Sequence, residues 1–232
     1  MPTPTRFREH IRIDLAVPAP GRAVRRAGVA GRCLRITATD VVERSGIRLS
    51  SPARTWCDLA PYCSVPELVA AADWAVRGRL VDPERLRAAI SAHPDHRQRA
   101  KLHAAAELVD ASSESTKESE LRALVALAGL PAVEGNVEVF DGRGRFVARV
   151  DLLFRAYGEV LEYHGDHHRT DLRQWRHDRT REAELESLGL HVMEVTNADL
   201  ATPRLLVARI ARNLQRRGWR SELAVSRWFP AG

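Results

Sequence analysis

Apolar positions change their spacing along this chain, and each change predicts a different kind of structure. In residues 1–50 they form short alternations such as Ile11-Arg12-Ile13 and Cys33-Leu34-Arg35-Ile36, the period-two pattern of strands, with no obvious partner strand nearby. From Ser51 the pattern is helical. Ser51-Pro52 supplies an N-cap followed by proline at the first helical position, Ser64-Val65-Pro66-Glu67 is a capping box opening a helix to Gly78, and Asp82-Pro83 opens another. Alanine-rich helical texture continues to about Val109, and Asp110-Ala111-Ser112-Ser113 reads as a polar linker that marks a domain boundary.

Beyond the linker, Ser115-Thr116-Lys117-Glu118 forms a second capping box, and Leu121, Leu124, Val125 and Ala128 recur at helical spacing until Gly129. Val137 and Val139, then Phe146, Ala148, Val150 and Leu152, alternate around Asp141-Gly142-Arg143-Gly144, which predicts a β-hairpin. A third strand follows over Val160 to Tyr163, then a helix over 171–188, a strand over Leu190 to Thr196 and a helix from Pro203 to Arg217 closed by Gly218. The expected fold is α/β, with a core of order α-β-β-β-α-β-α behind a mostly helical region that begins with short strands. The chain divides into a basic, largely helical part (1–110), an α/β part (111–220) and a C-terminal tail (221–232).

Composition narrows the function. At 232 residues, 44% of them hydrophobic, the chain is long enough to bury a core in one large domain or two small ones. No apolar run approaches the ~18 residues of a membrane span, and the N-terminus lacks the apolar core of a signal peptide, so a cytoplasmic protein with no membrane partner is expected. Cys33, Cys57 and Cys63 make no CxxC pair, and burial is their expected role. Residues 1–50 carry ten Arg against four Asp or Glu, the whole of the net +6, whereas residues 112–232 are electrically balanced. Such a basic flank fits attraction to phosphate backbones, and it fits solubility or an acidic protein partner equally well. No Gly-rich phosphate loop, nucleophile elbow or zinc-finger spacing is present, which removes nucleotide hydrolysis and serine-hydrolase chemistry.

The stretch from Arg149 to His168 carries the chemistry. Asp151 shares a strand face with Arg149 and Leu153, and Glu162 shares one with His164. A turn centred on Ala156-Tyr157 sets Asp151 opposite Glu162, and one centred on Tyr157-Gly158 sets it opposite His164. Directly opposed side chains lie ~5 Å apart at Cβ, and two carboxylates that close repel unless a cation neutralises them. Asp151, Glu162 and Glu118 are hard oxygen ligands suited to Mg²⁺, or to Mn²⁺, and such an ion polarises a phosphoryl oxygen and acidifies bound water. His164, His167 and His168 are candidates for general base, leaving-group acid or phosphate contact. Arg169, Arg173, Arg176, Arg179 and Arg181 follow within one turn-and-helix segment and are candidate DNA-backbone contacts.

Plainer readings stand beside these. Glu118 completes a capping box; Glu162 has Arg149, Arg155 or Arg169 available as ion-pair partners; and the arginines of 169–181 can pair with Asp171, Asp178, Glu182 and Glu184 on a solvated helix face. Arg212, Arg216, Arg217 and Arg220 read as a solvated helix end.

Taken in order, Glu118-Ser119-xx-Arg122, Arg149-Val150-Asp151, Glu162-Tyr163-His164-Gly165-Asp166-His167-His168, Asp178-xx-Arg181-xxx-Leu185-xxx-Gly189 and Val195-Thr196 resemble the very-short-patch-repair-type endonuclease domain of the PD-(D/E)XK superfamily, over about residues 112–217. The upstream segment around Ser51-Pro52-Ala53-Arg54-Thr55-Trp56-Cys57-Asp58-Leu59-Ala60 resembles AbiEi-type antitoxins or regulators, without a complete winged helix. The resemblance implies a restriction-endonuclease-like fold, Glu118, Asp151 and Glu162 at the acidic motif positions, His168 as a catalytic histidine, DNA as substrate and a cognate toxin or other protein as a partner. It also places His164 where the superfamily has a lysine. Two functions are therefore expected: a metal-dependent DNA endonuclease, or a DNA-binding regulator or antitoxin that keeps the nuclease fold without the chemistry.

Overall fold

A computed structural model describes residues 12–165 and 172–230, with the side chains of 172–178 excepted. The chain begins with strands β1 (Ile13–Pro18) and β2 (Val29–Leu34), then β3 (Val41–Arg44) and β4 (Ile47–Ser50). Of the two N-terminal alternations, Ile13 opens β1 and Cys33-Leu34 close β2, and these strands run parallel, with Ile13 beside Val29 and Val17 beside Cys33. β3 and β4 form a separate antiparallel hairpin. None of residues 12–50 is buried, and Ile13, Ile47 and Leu49 are exposed. Cys33 is exposed too, contrary to its expected burial, while Cys57 and Cys63 are buried.

The helices begin where the caps predict. In α1 (Pro52–Leu59) the Ser51 hydroxyl accepts the Arg54 N–H, and in α2 (Val65–Arg77) Ser64 and Glu67 complete a reciprocal capping box. Asp82 caps α3 (Pro83–Ala92), and α4 (Arg99–Glu107) follows. Buried Arg54 joins this part to the strands before it: its guanidinium donates to the Arg35 carbonyl at 3.0 Å and to Asp40 at 3.2 Å, and pairs with Asp58.

α5 (Thr116–Leu127) opens the second half, followed by β5 (Glu134–Phe140), β6 (Phe146–Phe154), β7 (Glu159–Tyr163), α6 (Leu172–Ser187), β8 (His191–Val195), a short α7 (Asn197–Ala201) and α8 (Pro203–Arg216). Apart from α7, this is the order expected from the hydrophobic pattern. The strands form one mixed sheet, β5-β6-β7-β8, antiparallel between β5, β6 and β7 and parallel between β7 and β8. A parallel pair needs a crossover, and α6 supplies it.

Each face of the sheet packs on helices. Leu152, Phe154, Leu161, Met193 and Val195 join Leu121, Leu124, Leu206 and Ile210 of α5 and α8, and the same core continues through Leu68, Leu86 and Leu102 of α2, α3 and α4. The other face is smaller: Ala148, Val150, Leu153 and Val160 pack around Leu185 of α6. Full burial of each such Leu, Ile or Val contributes about 1.5–3 kcal/mol.

The core does not stop at the segment read as a linker. Asp73 of α2 is fully buried and accepts from Arg122 of α5 at 2.8 Å and from the backbone N–H of Asp110 at 2.8 Å, and Arg122 also donates to the Leu108 carbonyl. The tail after α8 is equally engaged: Ser226 N–H donates to the Leu127 carbonyl, and Trp219 and Phe229 are buried. Among the described residues no helix is long and apolar enough to cross a membrane.

Candidate functional site

Strand β6 changes phase at Asp151. Ala148 and Val150 face α6, as Leu153 does, so the period-two alternation slips between Val150 and Leu152, where Leu152 joins the opposite core. Across the ladder, Val137 pairs with Val150 and Gly135 with Leu152, which leaves Asn136 facing Asp151. Asn136 has φ of 52°, a left-handed conformation that Asn tolerates better than most residues. On the other side, Leu152 pairs with Leu161 and Leu153 with Val160, and the same register carried one residue further sets Asp151 across from Glu162. Of the two turns open to the sequence, this is the one centred on Ala156-Tyr157. The Asp151 Oδ2 accepts the backbone N–H of Tyr163 at 2.8 Å, so the carboxylate stands where a ladder carbonyl would otherwise be.

Burial pushes the Asp151 carboxyl up to about 6, and the negative charges of Glu118 and Glu162 push it the same way; the Tyr163 N–H and the Arg181 guanidinium oppose them. Two of the acids picked out from the sequence, Glu118 of α5 and Glu162 of β7, thus both act on the third, Asp151 of β6.

Glu118 is buried at the start of α5, but the capping box expected there is only half made. Ser115 accepts the Glu118 N–H at 3.1 Å, while the Glu118 carboxylate turns away from Ser115 and accepts the Glu114 N–H at 2.8 Å and the Asn136 amide at 3.3 Å. That second bond draws Glu118 toward Asn136, the residue across from Asp151.

Glu162 is 6% exposed, and its ion-pair partner is none of the three expected. Arg149 pairs with Glu114 and Arg155 with Glu134, and Arg169 lies outside the described residues. Arg181 of α6 holds Glu162 instead. Its Nη1 donates to Oε2 at 2.9 Å, its Nη2 donates to Oε1, and Nη2 also donates to the Arg149 carbonyl at 2.8 Å. Arg181 therefore faces the sheet and does not lie on a solvated helix side. Arg179 does, and pairs with Glu182 in the i, i+3 manner expected of an exposed helix.

His164 continues the edge of β7, donating its backbone N–H to the Val195 carbonyl at 2.8 Å. Its Nε2 lies 3.8 Å from Glu162 and 3.7 Å from Glu194. His167, His168 and Arg169 lie outside the described residues, as do the side chains of Arg173 and Arg176. Among the described residues, no three His, Cys, Asp or Glu side chains are gathered closely enough to hold a metal ion as they stand. As a donor set, Asp151, Glu162 and Glu118 are all hard carboxylate oxygens, the type that Mg²⁺ and Mn²⁺ take.

Two residues of this site were missed in the sequence. Asn136 precedes the alternation that begins at Val137, and only the pairing of β5 with β6 brings it to Asp151. Glu194 is the register partner of Glu162 in the parallel β7–β8 pair, and the signal for it was the strand-helix-strand order around α6.

A second buried carboxylate, Glu159, lies at the opposite end of β7. It accepts from Asn213 at 2.8 Å, lies 2.9 Å from His191 Nδ1 and 3.9 Å from Arg217 Nε. Arg217, read from sequence as part of a solvated helix end, donates to the carbonyls of Tyr157, Gly158 and Gly189. This cluster joins α8 to the turns before β7 and β8. Cys57, whose thiol burial pushes up to about 12, is not a reactive nucleophile.

No protein-family model matches this chain, and no curated protein or solved structure matches it either.

Proposed function

We propose that this chain is a metal-dependent DNA endonuclease with a restriction-endonuclease-like core of the PD-(D/E)XK type, in which Asp151 and Glu162 hold Mg²⁺ or Mn²⁺ with Glu118 as a third oxygen donor. The observation that carries the reading is the pair Asp151 and Glu162: two carboxylates on the neighbouring strands β6 and β7, Asp151 tied to Tyr163 N–H next to Glu162 and pushed up to about 6 by burial and by its acidic neighbours. Such an arrangement destabilises the sheet on its own, and perturbed carboxylates of this kind concentrate at functional sites.

When bound, the ion polarises the phosphoryl oxygen and lowers the pKa of a coordinated water. The chain's own residues do the rest. Tyr163 N–H fixes the orientation of Asp151, and Asn136 fixes that of Glu118. His164, beside Glu162 and Glu194, is placed to take a proton or to contact a phosphate. Arg181 supplies positive charge at the site, the role that a histidine fills only when protonated. His168 is assigned as a further catalytic histidine on the sequence resemblance, and His167, Arg169, Arg173, Arg176 and Arg179 as backbone contacts on their charge and their place in the segment after β7.

One observation favours a second reading, a DNA-binding regulator or antitoxin without catalysis: Arg181 already neutralises Glu162 with both of its terminal nitrogens. Duplex affinity measured with Mg²⁺ and with a chelator, in wild type and Glu162→Ala, separates the two. The nuclease reading predicts that Mg²⁺ strengthens binding and causes strand scission only in wild type. Affinity that falls steeply with salt, is indifferent to Mg²⁺ and is unchanged by Glu162→Ala belongs to the regulator.

A further inference from the structure

We propose that Arg181 and a divalent cation compete for the Glu162 carboxylate, so that Arg181 is the residue that sets how tightly the site takes its metal. The proposal rests on the reading of Asp151 and Glu162 as metal ligands and adds a control element to it.

The planar guanidinium addresses both oxygens of Glu162: Nη1 lies 2.9 Å from Oε2, and Nη2 donates to Oε1. This is the strongest mode in which a carboxylate can be engaged by a side chain. Glu162 is almost wholly buried, so it has little solvent to exchange with, and a cation arriving there meets a carboxylate whose two oxygens already accept from the arginine. The charge of Arg181 also reaches Asp151, whose carboxyl it pulls down against the upward push of burial and of Glu118. A positive charge that stabilises both carboxylates repels a second cation from both.

The competition is reciprocal. Whatever Arg181 costs the affinity for the ion, the ion costs the Arg181–Glu162 pair by the same factor. An arginine released from Glu162 keeps its bond to the Arg149 carbonyl, and the guanidinium nitrogen that had served Oε2 is of the kind that also donates to a phosphate oxygen. Metal binding and the availability of a phosphate contact are thereby coupled through one side chain. Arg149, the other arginine of this part of the sheet, is itself paired with Glu114.

The test is a Mn²⁺ titration of the full-length protein at mildly alkaline pH, with the free ion read by electron paramagnetic resonance. Wild type, Arg181→Gln, Arg181→Lys and Glu162→Gln are compared. Arg181→Gln is expected to bind Mn²⁺ about fivefold or more tightly than wild type. Arg181→Lys, which keeps the charge and loses the fork, falls between them, and it carries the comparison should Arg181→Gln not fold. Glu162→Gln binds more weakly than wild type. Equal or weaker Mn²⁺ binding by the Arg181 variants makes Arg181 a structural tie between α6 and the sheet and overturns the competition alone. Absence of Mn²⁺ binding by wild type and by both Arg181 variants overturns the metal-site reading beneath it.

Discussion

Asp151 accepts the backbone N–H of Tyr163 at 2.8 Å, so a donor of the β7 backbone is given to a side-chain carboxylate. The bond locks the acid in place beside Glu162, and burial together with two acidic neighbours raises its pKa to about 6 in the folded chain, against 3.8 for the free side chain. Because the folded value is the higher one, the native state holds the proton more tightly. The contribution of Asp151 to stability is greatest below about pH 4, falls as the pH rises through 6, and then stays level. Asp151→Asn keeps an oxygen for the Tyr163 N–H and removes the charge. It is expected to be more stable than wild type at neutral pH by up to roughly 3 kcal/mol, with the gain vanishing at acid pH, as measured by denaturant unfolding across the pH range.

Removing Asp73 should be among the most damaging single changes in the chain. Its carboxylate is fully buried and paired with Arg122, and Asp73→Ala leaves that guanidinium uncompensated between α2 and α5. A loss of about 3–5 kcal/mol is expected. A double-mutant cycle with Arg122→Met, read by chemical denaturation, measures how much of the loss is the stranded charge.

Arg217 holds three carbonyls from two turns, those of Tyr157, Gly158 and Gly189. Arg217→Ala is expected to cost about 2–3 kcal/mol, the scale of hydrogen bonds to a charged group, and to leave cleavage per folded molecule intact. Thermal unfolding and activity measured on the same preparation check both halves of the statement.

Glu118 separates stability from function in the other direction. Glu118→Gln retains an acceptor for the Glu114 N–H, so it should change stability by less than about 1 kcal/mol. Loss of its charge beside Asp151 should lower cleavage about ten- to a hundredfold. Urea unfolding and plasmid nicking, run in parallel, are the measurements.

Much of this arrangement was legible in the sequence, because local rules wrote it. Ser51, Ser64, Asp82 and Ser115 cap the helices they announce, and the alternation from Val137 to Leu152 forms the hairpin it predicts. Non-local pairing was less legible. That β1 and β2 pair in parallel depends on the intervening chain, which period-two spacing does not describe. Arg181 was readable as a cation on a helix, but whether it turned to solvent or to Glu162 depended on how α6 lies on the sheet, and nearby acids on its own helix gave the solvated reading equal support. Asp151 interrupts the β6 alternation, so its own phase could not be extrapolated from Ala148 and Val150; the register with β7 was what placed it beside Glu162.

The proposed function requires Asp151 and Glu162 to bind a divalent cation with which DNA is cleaved. Asp151→Asn tests it most directly, because this variant is expected to fold at least as stably as wild type and a loss of activity cannot then be laid to unfolding. Supercoiled plasmid incubated with each protein in Mg²⁺ and in Mn²⁺ should be nicked or linearised by wild type and left intact by Asp151→Asn. Plasmid left intact by both proteins, or cut equally by both, would contradict the account.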